Sequence, residues 1–468
     1  MSQFLFNDFQ PVSSKQWKQT IQMELHGLDY NETVLSGSNE GITIKPFYHQ
    51  DEFKQLDIPI NTTNFSICQS IFVHDEKKAN ILAIKALKSG ATSIQFIANR
   101  AFDFQVLLQN VFSETFNSVS IHFDFRFLDA LFLKELLVFT KRQKVFLNLD
   151  ILGNLVSSGN WFYSNHKDHE ILNSIAKFSK ENLSIVGVDV SAYQNAGANT
   201  VQQVAYALAH ANEYLYYFSK LVAQNKLDRN HFETLVQNMQ FNFSMGGNYF
   251  FEIAKLRSFR YLFSKISKKY NIEAEAHIFA YPSQRNKTIY ANHVNMLRST
   301  TESMSGILGG ANTITNLAFD ALFHKKNEFG ERIARNQLLL LKEESHVNTS
   351  NPADGSYYVE ELTYEITAKA LSIFKEIEKK GGFLNQLFEG TIQRKIQESA
   401  QKEQEQFDTM KLILTGVNKY KDFREMMKDS LEIYPFAKRK SHETILVPIL
   451  PKRLSEKLEQ VRLEQENS

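Results

Sequence analysis

The chain has 468 residues, with Lys and Arg together numbering 53 against 52 Asp and Glu, for a formal charge of +1. That balance gives no support for a nucleic-acid-binding surface, and no stretch approaches the roughly 18 apolar residues that a membrane helix needs. Cys68 is the only cysteine, which excludes an internal disulfide and suits a reducing compartment; the start, "MSQFLFNDFQPVSS", lacks a secretory pattern, so the expectation is a soluble cytoplasmic protein.

In chain order, residues 1 to 60 read as an extended arm with one short helix around Trp17 to His26. A regular beat follows. Runs rich in Phe, Ile and Val appear at "FSICQSIFV" (65–73), "TSIQFIA" (92–98), "SVSIHFDF" (118–125) and "VFLNLD" (145–150). They continue at "LSIVGVDV" (183–190), "NMQFNFSM" (238–245), "EAEAHIFA" (273–280) and "GANTITNL" (310–317). Most end at a polar or Gly-containing turn, as buried strands do. Helical patterns lie between them. "DEKKANILAIKALKSG" puts Ile81, Ile84, Ala86 and Leu87 on one face and stops at Gly90, and a long helix starts from an N-cap at Asn199 or Thr200. Eight strand–helix repeats predict a (β/α)8 barrel over residues 61–395, with an open doubly wound sheet as the alternative topology. Residues 396–468 read as a helical extension around one strand-like piece, "LILTGVNKY".

In such a barrel, chemistry belongs to the loops after the strand C-termini. The loop "DVSAYQNAGAN" (189–199) is placed for it, yet offers no His, Lys, Arg, Glu or Cys. "SMGGNYFFEIAKLRSFRYLF" (244–263) could hold an anion at a helix N-terminus beside Lys255, Arg257 and Arg260. The plainer reading is a tight turn and a helix whose charges face solvent or bridge barrel helices. No G-x-x-x-x-G-K-[ST] is present, which speaks against nucleotide hydrolysis. His166 and His169 share a spacing that could hold a metal, but no third ligand completes the set, so no metal site is expected. His122 with Asp124, and His277, lie in predicted strands and could line a pocket, although a hydrogen-bonded core histidine is the commoner case. "GANTITNLAFD" adds hydroxyls and amides, with Asp320 beyond them. Such groups bind and orient but rarely transfer protons.

Several blocks, in order and spacing, resemble the alpha/beta family of methylmalonyl-CoA mutases, and within it the small, non-catalytic subunit of two-chain enzymes. They are "WKQTIQMELHGLDY", "GITIKPFY", "FFEIAKLRSFRYLF" (250–263), "GERIARNQLLLLKEES" (330–345), "NPADGSYYVEELT" (351–363) and "TGVNKY" (415–420). The resemblance runs from Trp17 to about Arg462. It implies a part in interconverting methylmalonyl-CoA and succinyl-CoA, an isomerisation of propanoate metabolism that starts with homolysis of adenosylcobalamin. The substrate of these enzymes threads the barrel while a flavodoxin-like domain presses the cofactor against its mouth.

This chain departs from the catalytic pattern at each place where that pattern does chemistry. Catalytic chains carry T-I-R-Q-Y-A-G-F-S, which has no counterpart here; "NFSICQSIFV" stands near its place. Their S-G-Y-H-M-Q-E-A-G-A becomes "SAYQNAGA" (191–198), with Tyr193, Gln194 and Asn195 and no His. Their S-L-H-T-N becomes Thr313, Ile314, Thr315 and Asn316. The cobalt-ligating D-x-H-x-x-G is absent from the sequence. The expectation is therefore a subunit with no catalytic, cofactor-binding or metal-binding residues of its own, inactive alone. It forms a heterodimer with a large catalytic subunit that carries adenosylcobalamin. The alternatives are a catalytic acyl-CoA mutase barrel using cobalamin from a separate subunit, or a CoA-ester-binding module. Two further expectations follow: the arm buries Trp17, Phe47 and Tyr48 on the partner, and the barrel axis is filled. Either parity of the strands fills it, whether Phe96, Phe123, Phe125, Phe241, Phe243 and Phe279 point inward or their neighbours, such as His122 and Asn242, do.

Overall fold

The computed structural model describes residues 9–59, 64–112, 118–140, 143–347, 351–437 and 443–466. Eight parallel strands close into a barrel. They are β1 (Ser66–Phe72), β2 (Ser93–Ala98), β3 (Ser120–Phe125), β4 (Lys144–Leu149), β5 (Leu183–Asp189), β6 (Gln240–Met245), β7 (His277–Pro282) and β8 (Thr313–Thr315). Each pairs with its neighbour in sequence, and β8 returns to β1 through Thr313–Ser66, Ile314–Ile67 and Thr315–Cys68. All eight predicted strands are present. β7 starts four residues later than its apolar run suggested, because Glu273 and Glu275 at the entry stay in solvent.

The Phe-rich face of the strands points outward. Phe241 lies 4.6 and 4.8 Å, ring to ring, from Phe259 and Phe263 of the helix Tyr249–Lys269, and Phe243 lies 5.0 Å from Phe259. Phe96 packs on Phe123, Phe123 and Phe125 pack on Phe102, and Phe125 also meets Phe132 of the helix Ala130–Phe139. Phe279 is the exception and points inward, 5.0 Å from the His122 ring. The middle of the barrel is filled by the His122 ring stacked on Phe146 at 4.2 Å, with His277 4.4 Å from Phe146. His122 Nδ1 donates to Gln240 Oε1 (2.8 Å), and Gln240 passes the chain on to Asn242 (2.7 Å). Burial drives the His122 pKa down to about 3, so the ring is neutral and serves as a packed, hydrogen-bonded core residue.

Helix starts follow the caps written in the sequence. Asn199 caps Thr200–Ala223 in a reciprocal box with Gln202, and Ser13 does the same with Gln16 for Ser14–Glu24, the arm's helix. Tyr48 and Phe53 of the arm pack on Tyr358 and Tyr357 of the chain's own helix Tyr357–Lys379, at 5.0 and 5.1 Å. Trp17 meets Phe47 at 5.8 Å and stays 50% exposed. The strand-like piece "LILTGVNKY" is a turn instead. Gly416 takes a positive φ of 83°, Asn418 accepts from the Leu414 amide (2.8 Å), and a lone bridge joins Thr415 to Lys419. The Asn418 side chain closes the turn locally and leaves the segment no partner strand. Residues 395 and 396 lie within the helix Thr391–Asp408. Among the described residues no helix is long and apolar enough to cross a membrane.

Candidate functional site: the barrel mouth

Above the His122–Phe146 layer the barrel opens into a cavity of about 630 Å³ at the C-terminal ends of the strands. Every strand sends a polar side chain into it, Ser70, Gln95, Asp124, Asn148, Asp189, Asn242, Tyr281 and Thr315, and Ile97 and Phe125 add apolar wall. Asp150, the N-cap of the helix Ile151–Ser158, stands at its edge. Its carboxylate accepts from His210 Nε2 (2.9 Å), the Tyr214 hydroxyl (2.7 Å) and the amides of Gly153 and Asp189 (2.7 Å each). Burial opposes its ionisation, but His210 and these donors together hold its pKa below the ordinary value. Asp189 is in the opposite state. Burial, then the carboxylates of Asp150 and Asp124, raise its pKa to about 6 against its bond from Ser191 (2.5 Å) and the charge of Arg126. Arg126 in turn is held to Asp124 at 2.8 Å. Across the mouth, Asp320 pairs with His324 (3.1 Å), and Lys326 donates to the Ser70 carbonyl (2.7 Å).

The loop after β5 turns Tyr193 and Gln194 away from this cavity and leaves Ser191, Ala192 and Asn195 on its wall. Ser191–Asn195 forms a short helix that turns Tyr193 into the core, fully buried, where its hydroxyl donates to His210 Nδ1 (2.9 Å). Gln194 accepts from Lys255 (3.2 Å). Asn195 reaches the cavity wall, where its amide donates to Ser244 (3.2 Å) and accepts from Ser283 and the Gln284 amide (3.0 Å each). Of the β8 residues, Thr313 is buried against His277 (3.2 Å) and Ile314 is fully buried. Thr315 meets Ser70 (3.1 Å) on the cavity floor, and Asn316 donates to the Ala334 carbonyl and Gln337 (3.0 and 2.9 Å). The loop's geometry is thus held by the side chains on which chemistry would have depended.

The Gly-Gly turn and its helix carry structural charges. Lys255 is fully buried between Glu252 (2.5 Å), Gln203 and the Ser244 carbonyl. Arg257 binds Asp354 and Glu360, and Arg260 binds the carbonyls of Ala276 and Gly310 and the Asn312 side chain. His166 is exposed and His169 is bonded to the Asn165 carbonyl (2.8 Å). No group of three His, Cys, Asp or Glu able to hold a metal occurs among the described residues.

A belt of chain crosses the mouth. Glu432 and Ile433 donate to Phe323 after β8 (2.8 and 3.1 Å), and Ile445 and Leu446 to Gly159 after β4 (3.1 and 3.3 Å). Ile449 donates to Val156 (2.8 Å), Lys452 to Asn195 after β5 and Leu454 to Arg285 after β7 (2.9 Å each). Gly159, at φ 79°, permits the approach, since a Cβ there would stand 2.7 Å from the Leu446 carbonyl oxygen. Buried pairs anchor the belt: Arg453 with Glu459 (2.5 Å) and Arg285 with Glu403 (2.6 Å). Ile433, Ile449 and Pro451 form part of the cavity wall.

Sequence reasoning overlooked most of the mouth. Asp124 and Asp320 stand among the sequence candidates, whereas Arg126, Asn148, Asp150 and Tyr281 do not. The alternation of Asp124 with Arg126 at a strand end was the available signal.

A family model described as methylmalonyl-CoA mutase matches residues 115–464. A methylmalonyl-CoA mutase small subunit of Porphyromonas gingivalis is 29% identical over 92% of this chain and 73% of its own length. A small subunit of Propionibacterium freudenreichii subsp. shermanii is 36% identical over 44% of this chain and 32% of its own. A methylmalonyl-CoA mutase of Rhizobium meliloti is 30% identical over 66% of this chain, which spans only 44% of that relative. With three quarters of its length matched by one family and a closed eight-stranded barrel beneath the match, the chain belongs to the methylmalonyl-CoA mutase family.

Proposed function

We propose that the chain is the small, structural subunit of a two-chain methylmalonyl-CoA mutase, inactive alone and paired with a large subunit that carries adenosylcobalamin. The observation that carries this reading is the fate of the loop after β5: Tyr193 is buried on His210 and the amide of Asn195 is consumed by neighbouring loops. Neither presents a reactive group to the mouth. The filled layer of His122, Phe146 and Phe279 supports it, because a pantetheine arm has no passage down the axis. The residues at the mouth do not fit a corrin. The belt lies across the face where a flat macrocycle would rest, and the remaining cavity of about 630 Å³ is the size of a small-molecule pocket. D-x-H-x-x-G is absent from the 468 residues.

Half-exposed Trp17 and the more exposed Phe9 are aromatic surface on the described part of the arm that a partner could bury. Co-expression with a large mutase subunit should give a stable complex with mutase activity, whereas this chain with adenosylcobalamin should give neither turnover nor a change in the cofactor's visible spectrum. Deleting residues 1 to 35 should weaken association more than it lowers the barrel's melting temperature. Turnover by the isolated chain, or failure to associate with any large subunit, overturns the reading.

A further inference from the structure

We infer that the helix Ala130–Phe139, which follows β3, is a contact face between two copies of this chain, with the two helices parallel and the barrels side by side. Apart from Lys134 and Glu135 every residue of this helix is apolar, although it lies on the outside of the barrel. Its inner side, Phe132, Leu133, Leu136 and Leu137, is buried, but Leu131 and Val138 are each 68% exposed and Phe139 is 44% exposed. A helix that is apolar on both sides is one that is covered in its working state. The chain covers other sectors of its own barrel. The helix Tyr357–Lys379 lies over the helices Thr200–Ala223 and Tyr249–Lys269, which follow β5 and β6. The arm packs on that same layer through Tyr48 and Phe53, so its exposed aromatics and the helix after β3 occupy different sectors of the surface.

The charges say what kind of surface covers it. At about 100° per residue Leu131 and Val138 fall almost in line and form a crest, with Lys134 on one flank and Glu135 on the other. Residues adjacent in sequence diverge round a helix and cannot bind one another. Neither side chain has an ion-pair partner among the described residues, whereas charges on other barrel helices close within the chain, Lys85 on Glu328 and Lys167 on Glu170. A twofold axis along the crest brings Lys134 of each copy to Glu135 of the other and sets Leu131 on Leu131 and Val138 on Val138. The antiparallel arrangement would set Lys134 on Lys134 and Glu135 on Glu135, so the charges select the parallel one. A seam of one helix is smaller than a standard interface, which makes the pairing weak and dependent on concentration.

The test is sedimentation equilibrium of the full chain. The mass should rise from 54.0 kDa at about 1 µM toward twice that value at about 200 µM. Glu135→Lys and Lys134→Glu should each weaken the pairing at least about tenfold, and the two together should restore it to within about threefold, because the swapped charges still meet. Val138→Cys, exposed and next to the twofold axis, should join two copies in a disulfide on mild oxidation, while buried Cys68 stays reduced. A mass of 54.0 kDa at every concentration, a double variant no better than the single ones, or a dimer that Val138→Cys does not cross-link refutes the pairing. Protection of Val138→Cys from a thiol reagent only in the complex with a large subunit assigns the face to that chain and equally overturns the inference. The substituted side chains lie on the outer face of the helix and none belongs to the arm, so association with a large subunit stands or fails separately.

Discussion

Asp189→Asn should make the free protein more stable, with a gain that grows as pH rises from about 4 to 6. The carboxyl is half-buried beside the carboxylates of Asp150 and Asp124, with Arg126 and the Tyr281 hydroxyl as its other neighbours and Ser191 as its hydrogen-bond donor. Its pKa rises from 3.8 to about 6 on folding, so the folded state binds the proton more tightly than the unfolded chain. Below about pH 3 the group is neutral in both states and costs nothing. As pH rises from 4 to 6 the unfolded chain ionises first, and stability is lost over that window. Above it the deficit is constant, at about 3 kcal/mol for a shift of this size and less where cavity water screens the three charges. Asparagine keeps the acceptor for Ser191 and removes the charge. Urea denaturation of both proteins at pH 4, 5, 6 and 8, followed by Trp161 fluorescence, should show curves that nearly coincide at pH 4 and separate by about 1–3 kcal/mol at pH 8. A variant that is less stable at pH 8, or a difference that does not change with pH, refutes the reasoning, because either result places the role of Asp189 in its hydrogen bonds and not in its charge.

Gly197→Ala should destabilise by several kcal/mol, seen as a clear drop in melting temperature: φ is 104° and the new Cβ would lie 2.4 Å from the Cβ of Ala400. Glu459→Gln should cost about 3–5 kcal/mol, because it leaves Arg453 buried without its charge partner, and a melt unchanged within a degree counts against the pair. Phe243→Ala, on the outward face against Phe259, should cost about 3–5 kcal/mol in a denaturant titration. Cys68 is buried and its thiol is pushed up to about 12, so a disulfide reagent at pH 8 should modify the protein only after denaturation.

The barrel was legible in the sequence because its strands bury a continuous outer face. Phe96, Phe123, Phe241 and Phe243 advertise that face whatever the register, and Gly and polar residues punctuate its ends. Parity was not legible, since an inward Phe and an outward Phe read alike until the helices are placed. Phe279 shows the ambiguity, facing His122 beside Asn242, while Phe241 on the same neighbouring strand faces Phe259. The mouth was hidden for a different reason: it draws on all eight strand ends, from Ser70 to Thr315, and no local spacing connects them. The loop after β5 misled in the other direction. Its Tyr193 and Gln194 are polar residues at a site-like position, and only the positions of His210 and Lys255 reveal that they are core residues.

The belt has a consequence for how the barrel can change over time. In an ordinary barrel the loops that follow the strands drift freely, and new chemistry arises from that freedom. Here the loops after β4, β5, β7 and β8 are each bonded to residues between 432 and 454, so an insertion in any of them must be matched by a shift in a segment encoded far downstream. Half of the barrel's variable end has been converted into inherited framework. During synthesis those loops also wait for residues 432–454, encoded far downstream of them, before these bonds can form.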